Sequence, residues 1–167
     1  MTTDLVFLDI ETTGLDPTLH EVWEIAAAVD DGPVQSFVVP HSILTADPKA
    51  LELNGYWDRG ADADVNDVAD YALREIVTGA TIVGANPAFD TSFLRARWGV
   101  APWHHRLIDV EAMALTVLGY ERPKGLHGLA EDLRQRGHDI PQPDHTAAAD
   151  VSATRAAYRA LRAEAAR

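Results

Sequence analysis

LVFLDIETTGL, residues 5–15, is an apolar run rich in strand formers that ends in Thr-Thr-Gly. Alternate residues of a strand share a face and lie roughly 7 Å apart along it. Asp9 and Glu11 are therefore expected to project together from a strand whose other face carries Leu8 and Ile10. Two carboxylates side by side repel unless positive charge lies between them. A divalent cation is the commonest such charge, and carboxylate oxygens suit Mg²⁺ or Mn²⁺.

This run supplies the first strand, Leu5–Ile10. VWEIAAAV, Val22–Val29, predicts a second, although its alanines also fit a helix. Asp30-Asp31-Gly32 reads as a hairpin turn into a third strand, Val34–Val39, closed by Pro40. Residues 41–62 mix Pro, Asn, Gly and Asp around a short helix at Pro48–Leu53. Apolar residues at positions 65, 68, 69, 72, 73, 76 and 77 predict a helix over Val65–Val77, followed by a short buried strand at Ala80–Val83. Asn86 followed by Pro87 is a strong helix start, and this helix runs to about Trp98 with Phe89, Phe93 and Leu94 inward. Leu107-Ile108 is a brief strand, after which Asp109 can cap a helix ending near Gly119. Leu126, Leu129, Ala130 and Leu133 mark another helix, stopped by Gly137. Asp144 is expected to cap the last, which carries Val151, Thr154, Tyr158 and Leu161 on one side. No repeat, low-complexity tract or linker interrupts the pattern, so residues 1–167 are expected to form one domain. Three antiparallel strands followed by strands alternating with helices imply an α/β fold, a mixed five-stranded sheet with helices on its faces.

Composition bounds the function. The chain has no Cys, which excludes a disulfide framework and a thiolate zinc site. No stretch approaches the roughly 18 apolar residues of a spanning helix, and no secretory leader pattern is visible, so a cytoplasmic protein without membrane attachment is expected. The formal charge of −12 is unevenly placed: residues 1–75 hold 16 acidic against 3 basic residues, and residues 76–167 hold 10 against 11. A broad basic footprint for long duplex is absent, which leaves a short single strand or a strand end as the nucleic acid that fits.

Further along, Asp90 lies one turn into the helix opened by Asn86-Pro87, and Asp150 is expected about two turns into the last helix. His145 stands five residues before Asp150, about 140° away around an ideal helix. Both can serve one site only if His145 sits at or before the helix start, where Pro143-Asp144 places that boundary. DIETTGL, GANPAFD and HTAAAD, in that order, resemble the three motifs of the DEDD (DnaQ-like) 3′→5′ exonucleases, which have a ribonuclease-H-like fold. His145 resembles the histidine branch of that superfamily; the tyrosine branch would have Tyr where Thr146 stands.

The resemblance implies that Asp9, Glu11, Asp90 and Asp150 hold two divalent ions, Mg or Mn, and that His145 acts with them in catalysis. It implies that Thr12, Thr13, Gly14 and Leu15, with Asn86 and Phe89, lie where the substrate binds, Leu15 against the terminal base. Ala85 departs from the pattern, replacing a histidine common in the second motif. The chemistry agrees, because two metals about 4 Å apart can clamp both sides of an in-line displacement at phosphorus. His145 suits removal of a proton from water, because histidine is the side chain that most readily exchanges a proton near neutral pH. The expectation is a metal-dependent exonuclease that hydrolyses single-stranded DNA 3′ ends to nucleoside 5′-monophosphates. The alternatives are an oligoribonuclease-like enzyme on short RNA and a proofreading subunit partnered by a DNA polymerase. An acidic nucleic-acid mimic, the non-enzymatic alternative, predicts a broken constellation, and this one is complete. Oligomeric state is not legible in the sequence.

Overall fold

The computed structural model describes residues 4–60, 65 and 68–167. Its strands are β1 (Leu5–Thr12), β2 (Val22–Val29), β3 (Gln35–Val38), β4 (Thr81–Gly84) and β5 (Ile108–Asp109). Its helices are α1 (Pro48–Leu53), α2 (Tyr56–Arg59), α3 (Ala69–Val77), α4 (Pro87–Trp98), α5 (Val110–Val117), α6 (Gly125–Gln135) and α7 (Ala147–Ala165). The strands form one five-stranded sheet in the order β3-β2-β1-β4-β5. β1 pairs antiparallel with β2 and β2 with β3, whereas β4 runs parallel to both β1 and β5. This is the mixed sheet that the order of elements implies.

β1 is covered on both faces. Val6, Leu8 and Ile10 pack with Leu73 and Val77 of α3 and Phe93 and Leu94 of α4. Phe7 faces the other side, with α5, α6 and α7. Each such large side chain, fully buried, contributes about 1.5–3 kcal/mol. VWEIAAAV is a strand despite its alanines, because packing on both faces overrides local preference. Ala26 and Ala28 are small enough to admit α7, which presents Ala147, Ala153, Ala157 and Ala160 among its buried residues.

Several boundaries differ from expectation. α3 starts at Ala69 rather than Val65. Residues 66 and 67 of the expected helix lie outside the described residues, and Val68, 70 % exposed, adds nothing to the core. α2 was hidden among the turn-forming residues of 41–62, because its four residues are too few to show a period. The cap of α7 is Thr146, whose Oγ1 accepts from the Ala149 N–H, and not Asp144. Asp144 instead accepts from the Thr146 N–H, one step upstream. Asp150 consequently lies in the first turn of α7 rather than deeper along it.

The β1–β2 ladder contains a bulge. Glu11 stands opposite Glu24, but Thr12 stands opposite Val22, so Trp23 is the extra residue of β2. The Trp23 side chain is fully buried and packs with Leu51 and Tyr56, tying α1 and α2 to the carboxylate end of β1.

Candidate metal and active site

The alternation of β1 delivers Asp9 and Glu11 to the face occupied by α7, and the first turn of α7 delivers Asp150 to the same point. One carboxylate oxygen from each of Asp9, Glu11 and Asp150 lies within 4.8 Å of the others. Asp90, in the first turn of α4, is buried, and its Oδ1 accepts from the Ile10 N–H at 3.1 Å. Asp90 is thereby anchored to the backbone between Asp9 and Glu11. Asp150 Oδ1 accepts from the Asp144 N–H at 3.1 Å.

The electrostatic result is severe mutual repulsion. Burial drives the Asp9 carboxyl well above its ordinary range, and Asp90, Glu11, Asp150 and Glu24 drive it further. Glu11 is pushed up to about 9 by burial and by Asp150 and Glu24, against the opposing pull of Asn54 and Arg59. Asp90 is pushed up to about 7 by burial, with the Asp90 and Ile10 backbone N–H groups opposing and Asp150 adding to the rise. Asp150 is raised by burial, partly offset by the Asp144 N–H and by His145 and His127. Protons or cations can relieve such crowding, and an all-oxygen set fits a hard divalent ion.

His145 precedes α7 by two residues and has φ 61°, the left-handed region that a non-glycine residue seldom enters. It therefore stands outside helical phase, as joint service with Asp150 requires. Its ring stacks on His127 of α6 with centroids 4.7 Å apart and planes 30° from parallel. His127 thus belongs to the same neighbourhood, although it lies outside all three sequence motifs. His138 lies elsewhere, its Nε2 2.7 Å from Glu164 Oε1.

The turn after β1 is already braced. Thr12 Oγ1 donates to the Gly14 carbonyl at 2.7 Å, and Thr13 Oγ1 accepts from the Glu21 N–H at 2.9 Å. Gly14 lies against the His20 ring, where a Cβ would collide. Leu15 emerges from this turn 76 % exposed. Asn86 is exposed with φ 60° and makes no side-chain cap, whereas Phe89 is partly buried against Phe93, their ring centroids 4.9 Å apart.

Three residues that the motifs do not mark also converge here. Glu24 is buried opposite Glu11 and pairs with Arg59 at 2.9 Å. Arg59 donates in addition to the carbonyls of Asn54 at 2.7 Å and His145 at 3.2 Å. Asn54 is buried and donates from Nδ2 to the Thr12 carbonyl at 3.0 Å. Glu24 had one sequence signal, a lone charge in an otherwise apolar strand. Arg59 is one of only 3 basic residues in the first 75, but nothing in its spacing pointed to the site.

The family model for exonucleases of the RNase T type matches residues 6–158. No curated protein matches the chain. Among solved structures, the chain is similar to a zinc-bound complex of E. coli exonuclease I with single-stranded DNA, with a TM-score of 0.75 and 23 % identity over 100 % of this chain and 42 % of that one. It is also similar to exonuclease I from Methylocaldum szegediense, with a TM-score of 0.76 and 23 % identity over 97 % of this chain and 41 % of that one. The chain therefore spans about two fifths of these structures, with which it shares a ribonuclease-H-like fold.

Proposed function

This chain belongs to the exonuclease family matched over residues 6–158, and on that premise we propose that it is a metal-dependent 3′→5′ exonuclease acting on single-stranded DNA, with nucleoside 5′-monophosphates as products. The observation that carries the reading is the meeting of the Asp9, Glu11 and Asp150 oxygens within 4.8 Å, beside a buried Asp90. Single-stranded DNA is preferred to RNA because the similar exonuclease I structure is a complex with it. In this reading residues 1–167 work as one exonuclease domain of the histidine branch.

Asp9, Glu11 and Asp150 would hold one divalent ion, and Asp9 with Asp90 would hold a second, Mg or Mn. Such ions, when bound, favour negative charge on the phosphate and on the departing oxygen. The chain's own residues supply the rest. His145 accepts the proton of the attacking water at a ring nitrogen, which its place before α7 leaves free of helical phase. Leu15, exposed on a turn that Thr12, Thr13 and Gly14 keep rigid, meets the last base. Asn86 and Phe89 line the approach from α4. Four carboxylates offset four positive charges, which accounts for an acidic site on an enzyme whose substrate is a polyanion.

The test uses matched single-stranded DNA and RNA oligonucleotides, each 5′-labelled, in Mg²⁺ and in chelator. Stepwise shortening of the DNA in Mg²⁺ alone, with release of 5′-monophosphates, is expected. Equal degradation in excess EDTA after metal stripping contradicts the metal reading, and faster degradation of RNA contradicts the preference for DNA.

A further inference from the structure

His145 carries an unfavourable backbone conformation on a segment that is neither helix nor strand. A residue stays in the left-handed region only when its surroundings over-determine it. The Asp150 carboxylate holds this segment through the Asp144 and His145 backbone N–H groups, and two further contacts come from outside the motif residues. Arg59, 86 positions away in sequence, reaches the His145 carbonyl from α2 at 3.2 Å. Its guanidinium is fixed in turn by Glu24 at 2.9 Å, by the Asn54 carbonyl at 2.7 Å and by the Trp23 ring, whose centroid lies 5.0 Å from Arg59 Cζ. A planar fork with several fixed donors suits this bridging task, and a lysine cannot reproduce it. On the other side of His145, the His127 ring stacks on the imidazole itself. Arg59 thus grips the backbone of His145 and His127 its ring.

We propose that Arg59 and His127 are positioning residues for His145, which together hold its imidazole at the carboxylate cluster instead of letting it turn into solvent. The inference rests on the reading of His145 as the base. Arg59 has a second consequence. Glu24 adds a fifth carboxylate beside the cluster, where it raises Asp9 and Glu11, and its ion pair with Arg59 offsets part of that charge. Glu24 and Arg59 act as a unit in this respect.

The test compares Arg59→Lys, Arg59→Met, His127→Ala and His127→Phe with the parent. His138→Ala serves as a control, because His138 pairs with Glu164 away from the site. Single-turnover rates at saturating oligonucleotide are expected to fall by about 10- to 100-fold in Arg59→Met, Arg59→Lys and His127→Ala, the loss typical of a displaced catalytic group. His127→Phe keeps a stacking ring and is expected to stay within about threefold of the parent. KM, and calorimetric Mg²⁺ affinity in the variants that keep the Arg59 charge (Arg59→Lys, His127→Ala and His127→Phe), are expected to stay within about twofold, since no metal ligand changes. A readout independent of turnover is the His145 imidazole proton resonance of the metal-free protein. It is expected to shift or broaden in Arg59→Met and His127→Ala but not in His138→Ala.

Parental rates with an unmoved His145 resonance in those two variants overturn the proposal. So do losses confined to thermal stability and metal affinity, which indicate a merely structural role. If the parent itself lacks nuclease activity, the functional reading fails. The His145 resonance then still decides whether Arg59 and His127 position that ring.

Discussion

Asp9 and Asp150 are held close enough to share an ion, and without one their charges work against the fold. Replacing either by Asn keeps its size and one oxygen while removing the charge. Asp9→Asn and Asp150→Asn are therefore expected to abolish turnover and weaken Mg²⁺ binding, while raising the melting temperature of the metal-free protein by about 2–6 °C. Asp139, exposed beyond α6, is the matched control, and Asp139→Asn is expected to keep its rate within about threefold. Near-parental activity in Asp9→Asn, measured beside calorimetric metal titration, contradicts the assignment of Asp9. At this scale the carboxylates were legible because β-strand alternation and motif order depend on nearest neighbours in sequence. Glu24, Arg59 and His127 were not, because they reach the site through register, a four-residue helix and a ring stack, and those are long-range facts.

The elements show the same division. Long periodic segments such as α4, α6 and α7 were readable because their buried residues recur at helical spacing. The cap of α7 was misread because both Asp144 and Thr146 are good capping residues. Only the Thr146 Oγ1 contact with the Ala149 N–H decides between them. The shift matters for the site: it places Asp150 in the first turn of α7 and leaves His145 two residues upstream, free to adopt φ 61°. The ambiguity of VWEIAAAV was resolved by packing, since Ala26 and Ala28 make room for α7 and so bring its first turn down onto β1. The bulge at Trp23 has no sequence signature, yet it docks α1 and α2 beside the carboxylates and brings Arg59 within reach.

For the molecule as a whole, the raised carboxyls make metal-free stability depend on pH in an unusual direction. Asp9, Glu11, Asp90 and Asp150 all have folded-state values above those of an unfolded chain, with Glu11 near 9 and Asp90 near 7. Their contribution is fully present below about pH 4 and is lost as pH rises through 7 towards 9. Thermal melts in EDTA are expected to fall in midpoint between about pH 6 and pH 9, and saturating Mg²⁺ is expected to reduce that fall. A midpoint that rises over this range without metal contradicts the picture of a repelling cluster. In the function proposed above, the same cluster, the braced turn from Thr12 to Gly14 and exposed Leu15 serve an enzyme that needs a chain end. The most direct measurement of that claim follows three single-stranded DNAs in Mg²⁺: one with a free 3′ end, one with a bulky 3′ block, and one closed circle. Shortening of the free strand alone, from its 3′ end and abolished by chelator, is the predicted result; efficient cutting of the circle would show an endonuclease and contradict the account.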